Sequence, residues 1–420
     1  MEAPSGCSRA VPVMLAVLLV SVACTRPASD DVGWATASAA AGAGAPAPAG
    51  LPDGPPTTEQ VLRGRHLVAS RACGDCHGGM QDPASERWLV GFAEVEPAYA
   101  VGPFQTWPRN LTPDAETGTG RYTERQIFNA LRYGLRPSST PSVAITSHVP
   151  GQGNHPAEPD YLAPSMPWLA WRYMSDEELW AIAAYLKHGL QPVRHAIPES
   201  QAPPDRWAGF FAEAAGPPEL PAFPTAQEEL RAPDRLDQIL RGRRLVAASA
   251  CGDCHGGAFH PGQEGWLIGS NENMPPTLAS FPIGPFTTYP RNLTPDNLTG
   301  MGHFSERQIF NALRWGLRPG ETADVEITSG VPGQGNHPIN PKYLAPPMPW
   351  PSWRHMSDED LRAIAAYLKN GVRPVRNRVQ DSEGPPDFWA SAWAPENVGT
   401  YPLPGYPTAR ERTMQLGQVR

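Results

Sequence analysis

Two short strings carry the clearest chemistry in this chain: Cys73-Gly74-Asp75-Cys76-His77 and Cys251-Gly252-Asp253-Cys254-His255. In each, two thiols stand three residues apart and an imidazole follows at once. Thiols at this spacing can add across the two vinyl groups on one edge of a haem, leaving the adjacent His as an axial ligand to the iron. That is the attachment signature of a c-type haem. A structural zinc would need four ligands, and no partner Cys pair lies nearby in sequence. A thioredoxin-like pair would sit in a βαβ context, which is absent here. Two disulfides, with three connectivities, would suit an exported chain, but the trailing His speaks for haem. The expectation is two covalently bound haem c groups, held by Cys73, Cys76 and His77 and by Cys251, Cys254 and His255.

The two strings belong to a longer duplication. CGDCHGG recurs at an offset of 178 residues, and PRNLTPD at Pro108 and Pro290 recurs at 182. ERQIFNALR, VPGQGNHP and MPW share the second offset, so the second copy has an insertion between the Cys string and PRNLTPD. The duplication continues past the last helix, with PPD-x-WA at Pro203 and Pro385 and PTA at Pro224 and Pro407.

The repeat also filters candidates for the second axial ligand. Apart from the attachment histidines, only His155/His337, Met166/Met348 and Met174/Met356 occur in both copies. Met174 and Met356 precede a helix cap, where an apolar residue staples the first turn. His155 and His337 lie in a Gly-rich turn, where bracing the loop is the simpler role. Met166 and Met348 sit in Pro-x-Met-Pro-Trp loops, rigid enough to hold a thioether at iron; the alternative is that they pack under Trp168 and Trp350. Arg109 and Arg291, with Asn110 and Asn292 after them, are candidates at a haem propionate, since guanidinium suits a carboxylate. A surface ion pair is the competing role for the arginines. Trp88/Trp266 and Trp168/Trp350 are expected to wall the haem.

Three helices per copy must position these groups. The first spans about 58–72, with Thr57 as N-cap and Gln60 completing a capping box; its counterpart starts near Asp237. The second opens at Thr123 with Gln126, carries Ile127, Ala130 and Leu131 on one face and stops at Gly134; Ser305, Gln308 and Gly316 repeat it. The third has Ser175 and Glu178 as capping box and Met174 with Leu179 as staple. It continues through Ile182, Ala183 and Leu186 to Gly189, and runs from Met356 and Ser357 to Gly371 in the second copy. No stretch alternates like a strand. The expected fold is all-α with long Pro/Gly-rich loops.

The combination resembles the class I cytochrome c family, especially cytochrome subunits of periplasmic dehydrogenases. Its motifs are Gly64 and Leu67 before the Cys string, Asn110 to Asp114, Met166 to Trp168, and Tyr185-Leu186. The second copy has Gly242 and Leu245, Asn292 to Asp296, Met348 to Trp350, and Tyr367-Leu368. The resemblance implies two tandem class I domains, Met166 and Met348 as axial ligands to iron beside His77 and His255, and first and last helices crossing near Gly64 and Tyr185. Those subunits carry three haems and a C-terminal membrane helix; this chain departs in having two haem strings and an expected lipid at the other end.

The totals agree with an ordered, loop-rich protein. Among 420 residues there are 51 Pro, 40 Gly and 13 Trp, and 40% are hydrophobic. A net charge of −8 argues against a nucleic-acid binder, which should show a basic face. Arg9 precedes an apolar run, Val11 to Val20, too short to span a bilayer. Ser21-Val22-Ala23-Cys24 resembles a bacterial lipobox, making Cys24 the expected lipidation site. Cys7 would leave with the signal. Thr25, where an Asp would retain some lipoproteins at the inner membrane, leans towards the outer membrane. The expected layout is a signal peptide at 1–23, a flexible tether at 24–55, domain 1 at 56–195, and a Pro/aromatic-rich linker at 196–232. Domain 2 follows at 233–377, and a trailing segment at 378–420 ends in a loose tail from Glu411. The tether's coil reach is on the order of 30 Å, about 5–6 Å times the square root of its length.

The function expected from these readings is single-electron transfer between periplasmic redox partners, from a dehydrogenase towards a cytochrome or oxidase, with no catalytic residue. The alternative is a di-haem enzyme such as a peroxidase. That chemistry needs one open iron, and it is disfavoured because both copies keep the same His and Met.

Overall fold

The computed structural model describes residues 55–413, apart from short stretches at 93–98, 102, 201–203, 215–217, 273, 275–278 and 385–387. The expected signal, the Cys24 lipid site and the tether up to residue 54 lie outside the described residues.

Each repeat is built on three longer helices, all three side-chain capped in the first repeat. In the first they are α1 (Thr58–Ser70), α3 (Glu124–Tyr133) and α5 (Asp176–Ala184), with the short α2 (Cys73–His77) and α4 (Trp168–Trp171) between them. Thr57, Thr123 and Ser175 each accept from the backbone N–H three residues on. The Gln60, Gln126 and Glu178 side chains return the bond, so two orphan amides are satisfied at each start. Gly134 ends α3 in the left-handed region at φ 71°, a conformation glycine adopts without a Cβ penalty. α5 runs on into a π-helical turn, Tyr185–Gly189.

α1 and α5 cross at Gly64, where a Cβ would overlap the Ala181 carbonyl. The absent side chain lets the backbones touch. Gly242 meets Ala363 in the same way in the second copy, between α7 (Leu236–Ala248) and α11 (Asp358–Asn370). That copy also holds α8 (Cys251–His255), α9 (Glu306–Trp315) and α10 (Trp350–Trp353).

The regular elements are mostly helices, but the expectation of no strands needs correcting. β1 (Tyr99–Val101) pairs antiparallel with β2 (Phe104–Thr106), with Val101 opposite Phe104. β3 (Phe281–Ile283) and β4 (Phe286–Thr288) repeat the hairpin. Strands of three residues are too short to display alternation, although the Gly-Pro between them is a turn signal. Each hairpin meets a buried Trp from the segment that follows its own repeat. Phe104 packs edge-on to Trp207 of α6 (Pro204–Ala214), and Phe286 to Trp389 of α12 (Phe388–Ala392), with ring centroids 6.2 and 6.1 Å apart.

Those trailing segments then cross to the opposite repeat. Glu228, after the first repeat, pairs with Arg243 of α7 at 2.6 Å, while Glu411, after the second, pairs with Arg65 of α1 at 2.6 Å. The expected loose tail is therefore wrong at its start. Glu411 is buried because a buried guanidinium needs an acid beside it. The crossing makes the molecule a pseudo-twofold pair. Equivalent positions meet on its axis: Arg71 Nη1 donates to Ser249 Oγ at 2.6 Å, 178 residues away. Glu178 with Arg244, at 2.7 Å, seals the same interface, and most buried apolar residues of both repeats share one core, with a smaller cluster around Trp350 and Trp389 in the second. Among the described residues, no helix is long and apolar enough to cross a membrane.

Candidate functional site

Each Cys string forms a short helical turn entered through a left-handed alanine, Ala72 at φ 61° and Ala250 at φ 57°. Such a backbone costs roughly 1–2 kcal/mol for a residue with a Cβ and is kept only where the surroundings impose it. Here the surroundings are visible. A Cβ on Gly74 would overlap Met80's carbonyl and the Trp88 ring, so Trp88 closes directly on the turn. Trp88 Nε1 donates to Tyr185 Oη at 2.9 Å, and Tyr185 Oη donates to Glu411 at 2.6 Å. Trp266, Tyr367 and Glu228 repeat the relay at 2.9 and 2.7 Å. Each Cys turn is thus braced by an acid delivered from the other repeat's trailing segment.

The histidines are held in one tautomer. His77 Nδ1 lies 2.7 Å from the Arg109 carbonyl, and His255 Nδ1 2.7 Å from that of Arg291. A carbonyl only accepts, so Nδ1 carries the proton and Nε2 keeps its lone pair for a metal. Burial pushes both imidazole pKa values down to about 4, which keeps them neutral. Burial also pushes the Cys73, Cys251 and Cys254 thiols up to about 12. Protonated thiols are slow in disulfide exchange. Among the described residues, no three His, Cys, Asp or Glu side chains gather as a metal site.

One cavity of about 2080 Å³ is lined by the Cys pairs and histidines of both repeats, together with Met166 and Met348. An ordinary ligand pocket reaches about 1,000 Å³, so the space suits two large groups. In the first repeat its apolar wall includes Ile127 and Leu131 of α3 and Ile182 of α5. Two thiols in one turn, an imidazole with a free nitrogen, a thioether and an apolar wall fit a covalently attached haem.

The structure separates the other candidates. Met174 and Met356 are buried in the core, away from the cavity wall. His155 and His337 also stay off that wall, with Nδ1 3.2 Å from the next residue's carbonyl. Arg109 and Arg291 do line the cavity, yet their guanidinium groups pair with Glu199 at 2.7 Å and Asp381 at 2.9 Å. Their visible contribution is the carbonyl that orients each His. The Asn110 amide nitrogen donates to Thr117 and Val193, and its oxygen accepts twice from Thr112. Asn292 is used likewise, so both asparagines tie the loop that carries the orienting carbonyl.

The tryptophans need correction. Trp88 and Trp266 pack behind the Cys turns, and Trp168 and Trp350 cover Gly134 and Gly316; the cavity wall holds Trp107, Trp171, Trp353 and Trp393 instead. Sequence reasoning also missed Arg71, Met80 and Met301 on the wall. Each occurs in one copy only, so a filter built on repetition discards it. Glu228 and Glu411 were missed although both stand three residues after a repeated Thr.

No family model matches the chain. It is similar to the gluconate 2-dehydrogenase cytochrome c subunit of Pantoea cypripedii, 28% identical over 354 residues, covering 81% of this chain and 67% of that protein. The quinone-dependent alcohol dehydrogenase cytochrome c subunit of Gluconacetobacter polyoxogenes is 27% identical over 312 residues, covering 74% of this chain and 55% of that protein. A diheme cytochrome c-type protein of Cereibacter sphaeroides is 25% identical over 327 residues, 74% of this chain and 86% of that one. The chain thus spans little more than half the length of the alcohol dehydrogenase subunit.

Proposed function

We infer that this chain, a relative of the cytochrome c subunits of dehydrogenases, is a di-haem electron carrier made of two tandem class I cytochrome domains. Cys73 with Cys76, and Cys251 with Cys254, would hold the two haems through thioethers. His77 with Met166, and His255 with Met348, would be the axial ligands. A haem so ligated supplies one-electron exchange between ferric and ferrous iron, at a potential raised by the Met.

The protein's own contribution is positional. The Arg109 and Arg291 carbonyls fix the imidazole tautomer, and the Pro-flanked loops hold each thioether at the cavity wall. The apolar faces of α3 and α5 exclude water. The observation that carries this reading is that both repeats bring the same Cys, Cys, His and Met to one cavity, leaving neither site distinguished as a place for substrate.

The proposed partners follow from the relatives: a dehydrogenase as donor, and a cytochrome or oxidase as acceptor. We place the protein on the periplasmic side of a bacterial membrane, anchored by lipid at Cys24, with the outer membrane favoured.

Optical spectra of the holoprotein test the ligand set. The far-red Met–iron band should account for both haems, and Met166→Ala and Met348→Ala should each remove half of it and open one high-spin site. A native protein with a substantial high-spin fraction would instead favour a peroxidase-like enzyme. If neither substitution opens a site, the axial assignment is wrong.

A further inference from the structure

The two repeats match closely around their Cys turns, and the position two residues before the first Cys is a conspicuous exception. The first copy has Arg71 there and the second has Ser249. These two residues face each other on the pseudo-twofold axis, joined at 2.6 Å. Arg71 is 7% exposed, lines the cavity shared by both sites, and its Nε has no acceptor among the described residues.

A buried guanidinium is a permanent charge. Burial lowers the Arg71 pKa, the neighbouring Arg244 adds to that fall, and the acids Glu178 and Asp360 oppose it. The guanidinium sits beside both turns, since Arg71 stands two residues before Cys73 and the Ser249 it bonds stands two residues before Cys251, on the wall of the cavity both pairs line. The low-dielectric interior screens such a charge far less than solvent does.

We propose that Arg71 is a shared tuning residue: one guanidinium, seated between the two attachment turns, raises the reduction potential of both haems together. It acts by charge alone. Reduction lowers the charge at iron by one unit, and a fixed positive charge nearby favours the reduced form at either site. Ser249 supplies the seat, because its hydroxyl accepts from Nη1 and holds the guanidinium on the axis. A second arginine at 249 would put two like charges in contact, so the asymmetry at this position is what lets the charge sit centrally.

The proposal rests on reading both Cys turns as haem sites. Haem content, measured as the pyridine complex, tests that reading separately, because a chain without two haems fails it before any potential is taken. The deciding experiment is a spectroelectrochemical titration of the full-length holoprotein. Arg71→Gln should move both midpoints to more negative potential, while Arg71→Lys, which keeps the charge, should leave both near the native values. Should Arg71→Gln not fold, Ser249→Asp neutralises the guanidinium in place from the other repeat and should lower both midpoints. The proposal is overturned if one midpoint moves alone, if neither moves, or if Arg71→Lys shifts them as far as Arg71→Gln.

Discussion

Removing the Glu411 carboxylate should loosen the first repeat, 346 residues away in sequence from the arginine it neutralises, and leave the second repeat intact. Glu411 has 0% side-chain exposure and Arg65 has 8%. Besides Arg65, the carboxylate accepts from Tyr185 Oη at 2.6 Å and from the Thr408 N–H at 3.0 Å. Glu411→Ala strands a buried guanidinium, and breaking one partner of such a pair costs about 3–5 kcal/mol. At 1.4 kcal/mol per tenfold, the open population of α1 rises roughly a hundredfold to a few thousandfold. Hydrogen exchange of the holoprotein, read by mass spectrometry, resolves the two repeats. Peptides from 58–70 and 185–190 should exchange faster in Glu411→Ala, and those from 236–248 should not. Glu228→Ala should give the reverse, since Glu228 and Arg243 have 0% and 5% side-chain exposure. Loss of protection in α7 from Glu411→Ala, or no loss in α1, would refute the crossed bracing.

Gly64→Ala should cost about 3 kcal/mol, the upper end of overpacking, because the added methyl meets the Ala181 backbone carbonyl and no side chain can yield; urea unfolding measures it, and a cost below about 1 kcal/mol would mean the helices separate easily. Gly242→Ala should behave alike against Ala363. His355 is buried, and burial, with Arg354, His66, Arg314 and Arg65 nearby, pushes its pKa down to about 3. The unfolded chain takes up that proton near pH 6.5 and the folded one refuses it, so stability falls as pH drops from about 6.5 towards 3, by up to roughly 1.4 kcal/mol per pH unit. His355→Gln should flatten this limb of the stability–pH curve, and an unchanged slope would show that His355 is not among the groups that titrate on unfolding.

Much of the helical frame was legible because its signals are local. Thr57 with Gln60, Thr123 with Gln126 and Gly134 each lie within one turn of the helix end they define. The repeat added a second kind of information by reducing the axial candidates to three recurring pairs; the staple position then set Met174 and Met356 aside, and the structure puts Met166 and Met348, but not Met174 and Met356, on the cavity wall. What escaped depends on distance or on difference. Nothing near Arg65 announces Glu411, although Arg65 and Arg243 recur, and so does a Glu three residues after Thr225 and Thr408. Arg71 was passed over because its counterpart is Ser249, and asymmetry was the signal. The hairpins were too short for period-two patterning, and the tryptophans were misplaced because repetition cannot tell a residue behind the Cys turn from one before it.

The crossed trailing segments also impose an order of events. The ribosome makes Arg65 and Tyr185 early, but the acid that completes their relay comes from almost the end of the chain. At about 5–20 residues per second, the 346 residues between Arg65 and Glu411 take roughly 20 to 70 s to synthesise. Glu228 follows its own repeat by a shorter path and is already present when Arg243 emerges. The repeat that is made first is therefore finished last, and an interrupted chain would carry a complete brace only at its second Cys turn.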